Sequence, residues 1–252
     1  TAVGRKVMAA AAPNLTPLTL ELGGKSPAII GDDYPIEKAA ARLATGKWFN
    51  CGQTCIAPDY VLVPAAKRDA LVDALRKEVQ ARYGHDLSNL GDYTRVVNDA
   101  QYARLQGYLA DAATRGIDTI TLAGSADPAQ RLLPPTLLIE PGDDATVMQE
   151  EIFGPLLPIV PYGDEAIAYV NAHDRPLAQY PFSRDKATVE TILQKTLSGG
   201  VSVNDTLFHF AIGDLPFGGV GPSGMGAYHA RAGFDAMSKQ LPVFWQARRT
   251  GG

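Results

Sequence analysis

Cysteine is almost absent from this sequence. Cys51 and Cys55 are the only two among 252 residues. Two cysteines cannot build a disulfide framework, and their scarcity fits a reducing compartment, so a cytoplasmic location is expected. Histidine is sparse too: His85, His173, His209 and His229 are scattered, and no zinc-ligand spacing arises. No metal site is expected. Basic charge is lacking, with a formal net charge of −4, which excludes the electrostatic footprint of a nucleic-acid binder. No apolar run approaches the roughly 20 residues of a membrane-spanning helix. Internal repeats and low-complexity tracts are missing. What remains is ordinary globular composition, 46% hydrophobic and 20% charged, enough for one large domain or two small ones. The opening Thr1-Ala2-Val3-Gly4-Arg5 has neither an initiator methionine nor a signal-peptide pattern. A helical pattern begins at once, without a strand before it, so a piece of a longer protein is expected.

Both cysteines lie in one stretch, Phe49 to Val61, F-N-C-G-Q-T-C-I-A-P-D-Y-V. A helical pattern with Ile36, Ala40, Leu43 and Ala44 runs into it, and a short apolar strand, Asp59 to Val63, runs out. Cys55 therefore sits on a helix-to-strand connection, where the backbone can present one side chain to a cleft. A thiol with a lowered pKa or a nearby base is the strongest ready nucleophile at neutral pH. The alternative is a small buried hydrophobe. The Gly-Gln and Ala-Pro flanks read as loop rather than core.

Elsewhere strands and helices alternate. Residues 3 to 12 read as a helix ended by Pro13. Leu15 to Leu22 reads as a strand, finishing in Leu20-Glu21-Leu22-Gly23-Gly24. A carboxylate at a strand end before two glycines is a common site position in α/β proteins; a solvated surface glutamate fits equally. Ser26 to Ile30 is a second strand. Leu71, Leu75 and Val79 mark one amphipathic helix and residues 98 to 113 another, with strands at Ile117–Leu122 and Thr136–Ile139. Glu150-Glu151-Ile152-Phe153-Gly154-Pro155 is a turn. Either its large ring is exposed beside two acids, or Phe153 tucks inward beneath a charged surface. Leu157–Val160, Glu165–Asn171, Ala178–Phe182, Lys186–Leu197 and Gly200–Val203 continue the alternation. The expected fold is α/β, a mostly parallel sheet with helices on both faces. Pro181 marks its strand as an edge or as bent. Gly219-Val220-Gly221-Pro222-Ser223-Gly224 matches G-x-G-x-x-G, but no strand of a βαβ unit leads into it, so it is not read as a phosphate loop. Leu241 to Trp245 reads as a strand reaching a partner subunit or as an ordinary edge strand.

Four segments together resemble the aldehyde dehydrogenases. Leu20 to Pro27, L-E-L-G-G-K-S-P, is similar to their glutamate signature and Phe49 to Cys55 to their cysteine signature. Glu150 to Pro155 resembles their cofactor-ribose motif. Pro216 to Gly226, followed by Ala227-Tyr228-His229, resembles the class 3 and coniferyl aldehyde dehydrogenase branch, as does Tyr60. The matches run in family order over nearly the whole chain. The resemblance implies that residues 1–25 are the tail of a cofactor-binding domain, 26–213 a catalytic domain, and 214–252 a glycine-rich loop, helix and return segment for dimer contact. Most of the Rossmann-like cofactor domain, with the side-chain asparagine of the oxyanion hole, would then lie upstream of Thr1.

The same resemblance assigns roles. Cys55 would be the nucleophile and Glu21 the general base. Glu151, Phe153, Leu22 and Gly23 would bind NAD or NADP, and Asn204 would line the substrate side. Cys51 occupies a variable position and need not be catalytic. The implied reaction is oxidation of an aldehyde, aromatic such as coniferyl aldehyde or medium-chain aliphatic, to the acid by a homodimer. This chain alone is expected to be a poor dehydrogenase. Two other readings compete: a cofactor-independent cysteine hydrolase acting through Cys55, and a non-catalytic oligomerising fragment.

Overall fold

The computed structural model describes residues 1–88 and 91–246. The chain opens with α1 (Ala2–Ala11), then the two-residue β1 (Leu20–Glu21), β2 (Pro27–Ile30), α2 (Ile36–Trp48) and β3 (Tyr60–Pro64). It continues through α3 (Arg68–Tyr83), α4 (Asp99–Thr114), β4 (Asp118–Thr121), β5 (Thr136–Ile139) and the one-turn α5 (Thr146–Gln149). Next come β6 (Leu156–Tyr162), α6 (Ala166–Ala172), β7 (Ala178–Phe182), α7 (Lys186–Lys195) and β8 (Gly200–Val201). The last elements are α8 (Phe208–Ala211), β9 (Gly224–Met225) and α9 (Ala230–Ala236).

Seven strands form the main sheet in the order β4-β5-β6-β3-β2-β7-β8, and every pairing is parallel except β4 with β5. The central strands are buried along their whole length, as Ala28–Ile30 and Tyr60–Val63 show, because helices cover a parallel sheet on both faces. The crossover from β2 to β3 and that from β6 to β7 step in opposite directions. Right-handed crossovers of opposite direction put α2 and α6 on opposite faces. The antiparallel edge strand β4 is largely exposed, consistent with its Asp-Thr-Ile-Thr sequence.

Asn98 caps α4 by accepting the Gln101 N–H at 2.9 Å, and Asp185 caps α7 through the amides of Ala187 and Thr188. Glycines at positive φ, Gly84 and Gly116, follow α3 and α4.

Three expectations change. The strand predicted over Leu15–Leu22 shrinks to Leu20–Glu21: Leu15 takes a left-handed φ of 51°, and Pro17 has no N–H to offer a ladder. The strand with Pro181 is not an edge, since β7 pairs with both β2 and β8. Its partner β8 stops opposite Gln179. Pro181 therefore lies beyond that ladder, and its carbonyl accepts from Asn204 N–H at 2.9 Å on the same side. Leu241–Trp245 forms no strand among the described residues, and Leu241, Val243, Phe244 and Trp245 are exposed. The final six positions of the predicted return segment, 247–252, lie outside the described residues.

Candidate active site

Glu21, Cys55 and Glu151 each precede a strand of the parallel sheet, namely β2, β3 and β6. Parallel strands start on one edge, so the three residues gather at the amino end of the sheet. Ligand sites of open α/β sheets usually lie at the carboxyl end, so this placement was not readable from that rule.

Cys55 reaches the site through a tight reversal. After Trp48 the backbone enters the left-handed region at Asn50 (φ 52°), Cys51 (φ 57°) and Gly52 (φ 72°). Gly52 is needed for a second reason: a Cβ there would lie 2.2 Å from the Gly154 carbonyl oxygen. Gln53 ties the reversal to the following segment, donating to Arg95 O at 3.0 Å and accepting from Val97 N–H at 2.8 Å. The two thiols end in different places. Cys51 is buried, with Sγ 3.8 Å from the Tyr93 hydroxyl, and burial pushes its pKa up to about 11. Cys55 is only partly buried. Burial, then the nearby Glu21 carboxylate, then the charge of Glu151 push its thiol up to about 12.

Glu21 closes β1, and β1 pairs antiparallel with β9, Glu21 opposite Gly224. The glycine-rich segment is therefore the scaffold behind the carboxylate. Leu22 N–H donates to Ser223 O at 3.0 Å. The Leu22 side chain turns away from the site, against Gly4 of α1, where an added Cβ would lie 2.9 Å from Leu22 Cδ2. Only the backbone of Leu22 is left for a ligand.

Glu151 folds against Gly23, where a Cβ would sit 1.7 Å from Glu151 Oε2. Burial first, then the Asp59 charge, raise its pKa to about 7, against the opposing effects of the Gly24 amide and Lys25. It lines a cleft of about 880 Å³ with Gly23, Gly24, Lys25 and Arg175. Phe153 takes a left-handed φ of 45° and keeps 38% of its surface exposed, so its ring stands out of the turn rather than tucking inward.

The turn from 150 to 155 is held by residues that the sequence reading gave no role. Lys25 forms an ion pair with Asp59 and donates to the carbonyls of Val147 (2.8 Å) and Glu150 (3.0 Å). Asp59 Oδ1 accepts from Ile152 N–H at 3.0 Å. Trp48 Nε1 donates to Pro155 O at 3.0 Å. Lys47, fully buried one position earlier, has no hydrogen-bond partner for Nζ among the described residues. Burial lowers its pKa to about 8 despite the nearby Asp59 charge. Its signal was available: position 47 is three and four residues beyond Ala44 and Leu43, on the buried face of α2.

Asn204 is brought elsewhere. Its amide is occupied by the Ser183 backbone, accepting from N–H and donating to C=O, both at 2.9 Å. Aromatic rings flank the thiol instead. Tyr180 donates its hydroxyl to Ile56 O. Tyr228, raised by burial and then by the charges of Glu21 and Cys55, packs edge-on against Phe217 and His229 at 5.8 and 4.9 Å. Among the described residues no histidine hydrogen-bonds to the Cys55 thiol, and histidine is the usual base of a cysteine hydrolase. No cluster of metal-ligating side chains occurs among them either.

A thiol beside one carboxylate, with a second carboxylate lining an adjoining cleft on an α/β sheet, is an arrangement in which a cysteine nucleophile and a carboxylate base could work together. The sequence model of the aldehyde dehydrogenase family matches residues 1–241, and the chain belongs to that family. It is 54% identical over 250 residues to a probable coniferyl aldehyde dehydrogenase of Pseudomonas aeruginosa, covering 98% of this chain and 52% of that protein. It is 47% identical over 244 residues to mouse aldehyde dehydrogenase family 3 member A2, covering 96% and 49%. Both agree with the class 3 and coniferyl branch. The crystal structure of Mycobacterium tuberculosis aldehyde dehydrogenase complexed with NAD+ superposes with a TM-score of 0.85 at 30% identity, covering 98% of this chain and 52% of that one. The chain thus spans about half the length of the relatives it matches.

Proposed function

We propose that the chain carries the catalytic part of a NAD(P)-dependent aldehyde dehydrogenase that works through a thiohemiacetal and then a thioester on Cys55. The observation that carries the reading is the Glu21 carboxylate beside the Cys55 thiol. Cys55 Sγ attacks the aldehyde carbon after losing its proton to solvent, and the Cys55 backbone N–H donates to the developing oxyanion. The bound nicotinamide supplies the hydride acceptor. Glu21 then takes a proton from water, which attacks the thioester, releases the carboxylic acid and restores the thiol.

The residues present fit the nicotinamide-ribose end of such a cofactor. Glu151 offers two carboxylate oxygens to a diol, and Gly23 leaves the space that its carboxylate occupies. Phe153 would offer its exposed ring to the nicotinamide end, and Leu22 and Gly23 would offer backbone. The partly exposed Tyr228 near Cys55 suits an aromatic or medium-chain aldehyde, in keeping with the name of the Pseudomonas relative. The same reading assigns residues 1–25 to a cofactor domain and 26–213 to the catalytic domain. It assigns the exposed apolar segment from Leu241 to Trp245 to a homodimer contact. A reducing location such as the cytoplasm keeps Cys55 free.

The test is a full-length protein containing this chain, given coniferyl aldehyde with NAD+ or NADP+. NAD(P)H and coniferyl acid should form, and Cys55→Ser should abolish both. Limiting iodoacetamide should label Cys55 and spare the buried Cys51. Turnover that survives Cys55→Ser would refute the reading.

A further inference from the structure

The Glu151–Phe153 segment has no regular secondary structure, so its backbone must be held by side chains. One residue on α4, outside every motif of the sequence, holds most of it. Arg104 Nη1 donates to Glu151 O at 3.2 Å, and Nη2 donates to Ile152 O at 2.7 Å. The peptide between those carbonyls is fixed from its other side by Asp59, which accepts the Ile152 N–H. The next helical turn adds Tyr108, which accepts from Arg104 at 2.7 Å and donates to Glu150 Oε2 at 2.8 Å. Leu105, adjacent to Arg104, fills the space where a Cβ on Gly154 would fall, 2.5 Å from Leu105 Cδ2.

Arg104 has an unusual set of partners for a guanidinium. Its Nε donates to Gln101 Oε1 at 2.7 Å, and no carboxylate lies within ion-pair distance among the described residues. Its hydrogen bonds all go to neutral acceptors. A planar fork with fixed donor directions can bridge two successive carbonyls, and an ammonium cannot hold both in one geometry.

We infer that Arg104 is a positioning residue for hydride transfer. It sets the backbone from which Glu151 and Phe153 reach the nicotinamide end of the cofactor. The inference rests on the role proposed above for Glu151. It assigns Arg104 no contact with substrate or cofactor. A misplacement of about 1 Å at a reacting centre costs on the order of 10² in rate.

The test uses Arg104→Lys and Arg104→Met in a full-length protein containing this chain. With aldehyde deuterated at the transferred position, both variants should lose roughly 10- to 100-fold in kcat and gain a primary isotope effect. Cleavage of p-nitrophenyl acetate by Cys55, which needs no cofactor, should stay within about twofold. In Arg104→Met, added guanidinium should restore part of kcat. Loss of esterase and dehydrogenase activity in equal measure would overturn the inference by making Arg104 a general structural support. An unchanged kcat and isotope effect in Arg104→Lys would overturn it as well. If the parent protein makes no NAD(P)H, the proposed function fails, and hydrogen exchange judges the clamp in this chain directly. The Ile152 amide should then exchange faster in Arg104→Met, and unchanged exchange would remove the clamp.

Discussion

The Glu151 carboxylate occupies the space where residue 23 would carry a Cβ, with Oε2 1.7 Å from that point. Glycine at 23 is therefore part of the Glu151 site. Gly23→Ala forces the carboxylate off its seat. The expected result in a full-length protein is a rise in cofactor KM of roughly 10-fold or more, equivalent to about 1.4 kcal/mol, with Cys55 alkylation unchanged. Titration of cofactor at saturating aldehyde measures it.

Burial is the main cause of the raised Cys55 pKa, and the nearby Glu21 carboxylate adds to it. Glu21→Gln removes that charge. Iodoacetamide labelling of Cys55 at pH 8 should therefore become faster, by roughly 3- to 10-fold, since one pKa unit is a factor of ten in thiolate. Aldehyde turnover should fall by about 10²–10⁴ through loss of the base for water. Slower labelling in the variant would instead make Glu21 the base for the thiol.

Glu151 is raised from 4.5 to about 7, burial being the main cause. Between those pH values the folded chain keeps a proton that the unfolded chain has lost. Stability must therefore fall as pH rises from about 4.5 through 7. Urea unfolding at pH 5 and pH 8 should show this slope, and Glu151→Gln should flatten it by on the order of 1–3 kcal/mol. A variant with the parent's slope would place the titration elsewhere.

Lys47 is fully buried, and burial lowers its pKa from 10.5 to about 8. The unfolded chain holds that proton more tightly, so the penalty is full below about pH 8, fades as pH rises from 8 to 10.5, and is gone above that. Lys47→Met keeps most of the volume and removes the charge. It should stabilise the chain at pH 7 by on the order of 1–3 kcal/mol, with a smaller gain at pH 10. Destabilisation at pH 7 would mean that the ammonium is compensated by Asp59 or Glu151.

The strands that alternate with helices, such as Ala178–Phe182, were legible because their apolar runs are bounded by turns and are buried on both faces. Cys55, Glu21 and Glu151 were legible as motifs, yet their meeting at one edge of the sheet was not. Arg104 was invisible as a site residue because its partners lie 47 and 48 positions away. Nothing local distinguishes it from a solvated arginine on an amphipathic helix. Leu15–Leu22 misled because its apolar content suits a strand, whereas a ladder also needs a neighbour and a donor at every second residue. Lys25 stood inside a recognised motif, but its work depends on Asp59, 34 positions on.

At the opposite rim, Asp33 beyond β2 accepts from the Ser183 hydroxyl at 2.9 Å and from the Arg184 and Asp185 amides at 2.6 and 2.8 Å, beyond β7. That rim stitches two neighbouring strands together and carries none of the candidate chemistry. The domain is in this sense separable for an engineer. Substitutions around Asp33 and Ser183 should move the melting temperature and leave the isotope effect alone. Changes at the Cys55 rim should move turnover and, at the buried Glu151 and Lys47, stability with it. A library confined to the Asp33 rim would therefore tune thermostability while leaving the candidate chemistry alone.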